Sequence, residues 1–141
     1  MILYLDTSAF LKLFIAEDGA DFVAEWVAKA TTAFTSRLTF AEACAGLARR
    51  SREGSLDKSQ VAGAHHALVD RWPKASVVEV DEVAAGALAM RHNLRAYDAV
   101  HLAAALVVRR TAPQIPMVFC TFDNRQAAAA RAEKLQVVPQ R

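Results

Sequence analysis

Short apolar runs alternate with helical patterns along the whole chain. The runs are rich in leucine, β-branched and aromatic side chains, which is typical of buried strands. Parallel strands need long crossover connections, and helices supply them while covering both faces of the sheet. The alternation predicts a three-layer α/β/α fold around a mostly parallel five-stranded sheet. The predicted strands are residues 2 to 5, 33 to 35, 76 to 80, 117 to 121 and 135 to 138.

Helical patterns fill the intervals between these strands. Two longer helices lie between the second and third strands, separated by a turn at residues 53 to 55 and ended by Pro73. They predict a helical hairpin inserted into a crossover, within one domain that spans residues 1 to 141. The predicted helices are residues 8 to 16, a helix beginning near Asp18, and residues 38 to 52, 57 to 72, 82 to 92, 97 to 110 and 124 to 133.

Four acidic residues lie where one predicted element passes into the next: Asp6, Glu42, Asp98 and Asp123. Asp6 and Asp123 follow the first and fourth strands, and open α/β sheets bind ligands at the carboxyl ends of their strands. Glu42 and Asp98 lie near helix starts in apolar stretches, and Glu42 has no cation at helical spacing. Isolated carboxylates in apolar surroundings need a partner, and a cluster of them suits a divalent metal ion.

Three of these acids also have a purely structural interpretation. Asp123, with a glutamine three residues later, resembles a capping box, and taken alone capping explains it. Asp6 and Asp98 could each stabilise the helix N-terminus beside them. Glu42 is the hardest to explain in this way, because one turn into its helix it gives only slight support to the helix dipole. The four acids together fit one site better than four independent caps. His101, one turn after Asp98, is interpreted as a hydrogen-bonded packing residue rather than a proton carrier.

Composition gives only weak indications of a partner. The formal net charge is +2, and 12 of the 17 cations are arginines, which suit phosphate contacts but are equally typical of a solvated surface. Cys44 and Cys120 lack metal-type spacing and are interpreted as buried free thiols, which fits a reducing cytoplasm. Because no leader and no run of about 18 apolar residues is present, we expect a cytoplasmic protein without a membrane anchor.

The motifs of several common enzyme classes do not occur. The chain has no GxGxxG, no GxxxxGK[ST] and no nucleophile elbow. Hydrolysis by a metal-activated water is the chemistry that the four acids then favour.

Four blocks of sequence resemble the PIN-domain ribonucleases, and within them the VapC-type toxins of bacterial toxin-antitoxin pairs. The order and spacing of the blocks cover the whole chain. One departure is that the glycine common before the final strand is replaced, with Lys134 nearby. The blocks are LDTS at residues 5 to 8, SRLTFAE at 36 to 42, YDAVHLAAA at 97 to 105, and TFD at 121 to 123, followed by VVP at 137 to 139.

The resemblance implies a metal-dependent endoribonuclease that acts on RNA and is neutralised by a cognate VapB-like antitoxin. In that family the four acidic positions line a pocket that holds Mg²⁺ or Mn²⁺, and a threonine helps to orient ligands or water. The antitoxin often directs a basic side chain toward this pocket. The implied ligand and catalytic residues are Asp6, Glu42, Asp98 and Asp123, and the supporting residues are Thr7 and Thr121.

The resemblance also implies a homodimer, and an apolar surface permits it. Phe10, Leu13, Phe14 and Trp26 add more apolar area than five short strands are expected to cover, and contact with a second copy would bury the rest. Basic residues around the groove would influence the choice of RNA. The candidates are Arg49, Arg50, Arg52 and Arg125.

Two other functional classes stay open. A phosphoacceptor domain also places an aspartate after a parallel strand, but the receiver type needs further acids beside it and a late lysine. The haloacid-dehalogenase type needs a second aspartate two residues after the first, where Ser8 stands. The other class is a non-catalytic binding module on the PIN scaffold, which the presence of all four acids disfavours.

Overall fold

Five strands form one sheet in this computed structural model, which describes residues 1–140. All four strand pairings are parallel, so the sheet is entirely rather than mostly parallel. The strands are β1 (Ile2–Leu5), β2 (Thr32–Ser36), β3 (Ser76–Val78), β4 (Met117–Cys120) and β5 (Gln136–Val138), and they lie in the order β3-β2-β1-β4-β5.

Helices connect these strands and cover the sheet on both faces. The predicted bounds agree with the observed ones to within one or two residues for most elements, because the apolar residues recur with a clear period in the helices and in the strands. The α-helices are α1 (Thr7–Phe10), α2 (Ala20–Lys29), α3 (Thr39–Arg52), α4 (Lys58–Arg71), α5 (Glu82–His92), α6 (Ala96–Thr111) and α7 (Asn124–Ala132).

Alternate side chains of β1 enter two separate cores. Tyr4 is fully buried on one face, where its ring stacks on Phe119 of β4 with 5.4 Å between the centroids, under α5, α6 and α7. Leu3 and Leu5 point to the opposite face and pack among residues of α1, α2, α3 and α4. Because helices cover both faces, every residue of β1 and β4 is buried. The predicted three-layer α/β/α architecture is confirmed.

The predicted helical hairpin is also confirmed, as α3 and α4. Gly54 in the connecting turn has a φ of 77°, which glycine adopts without strain. Asp57 then caps α4 through a capping box with Gln60. The helix gives way to a 3₁₀ turn at Trp72 because Pro73 has no N–H with which to continue the α-helical hydrogen bonds.

The first predicted helix, residues 8 to 16, is wrong in its length. Helix α1 ends at Phe10, and a single 3₁₀ turn, Leu11–Leu13, follows it. Gly19 then adopts a φ of 84° just before α2 begins. A Cβ atom at Gly19 would lie 2.7 Å from Cε1 of Phe122. Both the left-handed backbone and this close approach therefore require glycine.

The apolar side chains expected to need a second copy are largely covered by the chain itself. Phe10 is buried, and Leu13, Phe14 and Trp26 are half-buried against the same core. Phe10 also meets Trp72 edge to face, with 6.0 Å between ring centroids. The expectation that this surface remains for a dimer contact is therefore wrong for Phe10 and weakened for the others, so the homodimer rests on the family resemblance.

Both cysteines are free thiols, as predicted. Cys120 is buried, and burial raises its pKa to about 12, which leaves it unreactive. Cys44 is half-buried rather than buried. Within residues 1–140, none of the helices has the length and apolar character needed to cross a membrane.

Candidate active site

The four predicted acids occupy strand ends and helix starts. Asp6 directly follows β1, and Asp123 caps α7 after β4. Glu42 and Asp98 lie in the first turns of α3 and α6. Asp6 and Asp98 are buried, with 3% and 7% of their surface exposed, while Glu42 and Asp123 are half-buried. Two of the four predicted acids are thus buried and two are partly accessible to solvent.

Asp6 is held by hydrogen bonds on both carboxylate oxygens. Its Oδ1 accepts from the Ser8 hydroxyl at 2.7 Å and from the Ala9 N–H at 2.9 Å, and its Oδ2 accepts from the Thr121 hydroxyl. Asp6 therefore caps α1, as its structural interpretation predicts. Burial raises the pKa of Asp6 despite these hydrogen bonds. Because burial disfavours the ionised form of this carboxylate, a nearby cation would stabilise it.

Thr121 joins two of the acids. Its hydroxyl donates to Asp6 and accepts from the backbone N–H of Asp123 at 3.0 Å. The single hydroxyl hydrogen goes to the carboxylate, because a carboxylate only accepts. Thr121, predicted as a supporting residue, therefore orients Asp6 and fixes the backbone from which Asp123 projects.

Asp123 behaves only partly as its capping interpretation predicts. Its Oδ1 accepts from the backbone N–H of Gln126 at 2.8 Å, as an N-cap should. The Gln126 side chain does not return to the cap, and donates instead to the backbone carbonyl of Asp98 at 3.1 Å. The capping box is therefore incomplete, and Gln126, which is almost fully buried, ties α7 to the start of α6.

Arg95 bridges two of the predicted acids and was missed by the sequence interpretation. Its Nε donates to Oδ2 of Asp98 at 2.8 Å, and its Nη2 donates to Oδ2 of Asp123 at 3.1 Å. Hydrogen bonding to Asp98 raises the pKa of Arg95, so it stays charged. The spacing of Arg95 and Asp98, three residues apart at a helix start, was the only available signal.

Glu42 lies in a second hydrogen-bonded group. Its Oε1 accepts from the Thr7 hydroxyl at 2.9 Å and is 2.8 Å from Nε2 of His101. His101 also contacts the Tyr4 hydroxyl through Nδ1, at 3.0 Å. Thr7, predicted as a supporting residue, thus contacts Glu42. The interpretation of His101 as a hydrogen-bonded packing residue is correct about its burial, and one of its partners is a predicted site residue.

The basic residues expected around the groove differ in their availability. Arg50 is engaged by Glu17, which accepts from its Nε and Nη2 at 3.1 Å each. Arg49, Arg52 and Arg125 are exposed. These three remain candidates for contacts to an RNA backbone, whereas Arg50 has a structural partner.

The donor chemistry of the site fits a hard divalent cation. Four carboxylates and two threonine hydroxyls offer oxygen atoms, which Mg²⁺ and Mn²⁺ prefer. Among residues 1–140, however, no three acidic, histidine or cysteine side chains already converge in a geometry suited to an ion. Arg95 lies between two of the carboxylates. The predicted ligand residues therefore supply suitable oxygen donors, but within residues 1–140 they do not form a cage for an ion.

Comparison with known proteins adds sequence relatives of nearly full length. The family model for the PIN domain matches residues 3–132. Ribonuclease VapC45 of Mycobacterium tuberculosis (strain CDC 1551 / Oshkosh) is 36% identical, and the match covers 98% of this chain and 95% of the relative. Ribonuclease VapC35 of the same organism is also 36% identical, with 97% and 96% covered.

Solved structures share the fold at lower sequence identity. PAE2754 from Pyrobaculum aerophilum superposes with a TM-score of 0.68 at 20% identity, over 98% of this chain and 90% of the other. VapBC-1 from nontypeable Haemophilus influenzae superposes with a TM-score of 0.60 at 21% identity, over 97% and 96%. At these identities the superpositions establish the fold.

Proposed function

The chain belongs to the PIN domain family, with VapC ribonucleases as relatives, and from that premise we propose that it is a divalent-metal-dependent endoribonuclease toxin of the VapC type. Its substrate is RNA, in which it hydrolyses internal phosphodiester bonds. The whole chain acts as one PIN domain in the cytoplasm. The observation that carries the proposal is a chain of hydrogen bonds that links Asp6, Asp98 and Asp123: Thr121 contacts the Asp6 carboxylate and the Asp123 backbone, and Arg95 contacts the carboxylates of Asp98 and Asp123.

The roles of the acids follow from their environments. Asp6, Asp98 and Asp123 would hold Mg²⁺ or Mn²⁺, and Glu42 would bridge to it or position the attacking water. The ion, when bound, supplies Lewis acidity and neutralises charge on the phosphodiester. Asp6 is suited to this role because its burial is costly without a nearby positive charge. The hydrogen bond from Thr121 keeps the Asp6 carboxylate in one orientation.

Glu42 is suited to handle the proton of the attacking water. Both of its contacts are made by Oε1, and in the described part of the chain no hydrogen bond is made to Oε2. The side chain is also partly accessible, with 21% of its surface exposed. One carboxylate oxygen is therefore anchored while the other has no protein partner among the described residues, which leaves it able to accept a proton as a general base does.

The proposal is tested by incubating the purified chain with a mixed RNA pool and sequencing the ends that form. We expect internal cleavage with Mg²⁺ or Mn²⁺ and none with EDTA. Absence of cleavage with both ions would contradict the nuclease and favour a binding module. Stable phosphorylation of Asp6 by acetyl phosphate would instead favour a phosphoacceptor domain.

The partners of this chain are proposed from the family. We propose a homodimer, and a small VapB-like antitoxin that directs a basic side chain toward the acids, since a cation there offsets their charge. The contact of Arg95 with Asp98 and Asp123 shows that a guanidinium fits between these carboxylates. Light scattering at micromolar concentration should give a dimer. A monomer would contradict the dimer, and failure of the adjacent small reading frame's product to bind would contradict the antitoxin.

A further inference from the structure

His101 lies where the buried core meets the candidate site. Only 2% of its surface is exposed, and it belongs to the apolar helix α6. Both ring nitrogens nevertheless have polar neighbours. Nδ1 is 3.0 Å from the Tyr4 hydroxyl, while Nε2 is 2.8 Å from Oε1 of Glu42 and 3.0 Å from the Thr7 hydroxyl. The ring therefore connects a core tyrosine to an acid of the site.

The chemistry of these neighbours fixes the direction of the hydrogen bond to Glu42. A carboxylate only accepts, so Nε2 must carry the hydrogen that lies between the two groups. The hydrogen of the Thr7 hydroxyl is also directed to Oε1 of Glu42. Two donors therefore converge on one carboxylate oxygen. This direction requires either the charged imidazole or the neutral tautomer with its hydrogen on Nε2.

Tyr4 holds the other side of the ring. It is fully buried, and its ring stacks on Phe119 with an interplanar angle of 3°. With the imidazole hydrogen on Nε2, Nδ1 of the neutral ring is an acceptor, so the Tyr4 hydroxyl donates to it at 3.0 Å. A rigid aromatic pair thus determines the orientation of the His101 ring.

We propose that His101 is a positioning residue for the nuclease reaction, which holds the Glu42 carboxylate so that Oε2 faces the reacting water. This proposal rests on the proposed function. Without the Nε2 donor, the flexible Glu42 side chain has only the Thr7 hydroxyl to fix it, and an orientation error of about 1 Å in a catalytic group can lower a rate by about 100-fold.

Two amide substitutions separate positioning from packing. In His101→Gln the side-chain NH₂ reaches about as far as Nε2 and can still donate to Glu42. In His101→Asn the amide reaches only as far as Nδ1, so it can meet Tyr4 but not Glu42. Both are neutral amides of similar polarity, so each is a matched control for the other. Both variants are compared at a temperature where circular dichroism shows them folded.

Positioning predicts a contrast between the two variants. We expect kcat of RNA cleavage to fall about 10-fold or more in His101→Asn, with KM little changed, because loss of a hydrogen bond to a charged group has consequences of this order. His101→Gln should retain kcat within about 3-fold. In a Glu42→Gln background, His101→Asn should have little further effect, since the two residues act through one contact. A packing role predicts that His101→Asn lowers kcat equally in the wild-type and Glu42→Gln backgrounds. That result, or equal kcat in His101→Asn and His101→Gln, would overturn the proposal.

A second readout does not depend on nuclease activity. The ¹⁵N NMR spectrum of the wild-type imidazole should show Nε2 carrying hydrogen, and this signal should move in Glu42→Gln but not in the remote control Asp70→Asn. An Nε2 chemical shift that is the same in the wild type and in Glu42→Gln would overturn the proposal. If the wild type cleaves no RNA, the proposed function fails, and the NMR response alone then decides whether His101 holds Glu42.

Discussion

The guanidinium Nε of Arg95 donates to Oδ2 of Asp98 at 2.8 Å. The same side chain reaches Asp123 through Nη2, so one cation of the chain itself holds two predicted metal ligands. An ion that binds Oδ2 of either carboxylate competes with the guanidinium for the same oxygen atom. Arg95 is 65% exposed, which leaves it free to swing into solvent.

Replacing Arg95 by alanine should tighten the binding of Mn²⁺. The guanidinium competes with the ion, and exposed ion pairs are worth about 0.2–1 kcal/mol each, so the apparent Kd should fall about 3-fold or more. Calorimetric titration measures this. Arg125→Ala is the control, because Arg125 is an exposed arginine in the first turn of α7, close to Asp123 in sequence, and makes no ion pair within residues 1–140. Weaker binding by Arg95→Ala would show that the guanidinium supports the site rather than competing for it.

Replacing Asp6 by asparagine should stabilise the metal-free protein at neutral pH. Burial raises the pKa of Asp6 in the fold, so the ionised form costs stability as pH rises above the unfolded pKa of about 3.9 and through the folded pKa. Asparagine keeps an acceptor for the Ala9 N–H without the charge. Urea midpoints in EDTA should be higher for Asp6→Asn at pH 7, and the difference should shrink as pH falls toward about 4. A difference that is independent of pH would contradict this origin.

Lys134 takes a left-handed φ of 61° between α7 and β5, near the point where the family commonly has glycine. A non-glycine residue in this region is strained by roughly 1 kcal/mol. Lys134→Gly should therefore raise the free energy of unfolding by up to about 0.5–1 kcal/mol, measured in urea. Lys58→Gly, in the first turn of α4 with an ordinary helical backbone, should lower it instead. A destabilised Lys134→Gly would show that the lysine side chain has a role of its own.

The sequence predicts the strands and the four acids because both depend on local patterns. Apolar runs mark β1 and β4. An aspartate after each run lies at the carboxyl edge of a parallel sheet, whichever element follows it. The contacts that organise the site are not local. Tyr4 meets His101 across 97 positions, and Arg95 meets Asp123 across 28, so these pairs follow only from the packing of α6 on the sheet. The need for glycine at position 19 likewise arises from the close approach of Phe122, which is distant in sequence.

The most direct test of the nuclease assignment compares Asp98→Asn with Asp70→Asn in cleavage of one defined RNA with Mg²⁺. Asp70 is exposed and lies near the end of α4, and it serves as the matched control with the same loss of charge. Loss of one electrostatic group in a site costs about 3 kcal/mol, so Asp98→Asn should be about 100-fold slower than the wild type while Asp70→Asn cleaves normally. Unchanged cleavage by Asp98→Asn would contradict the account of this site.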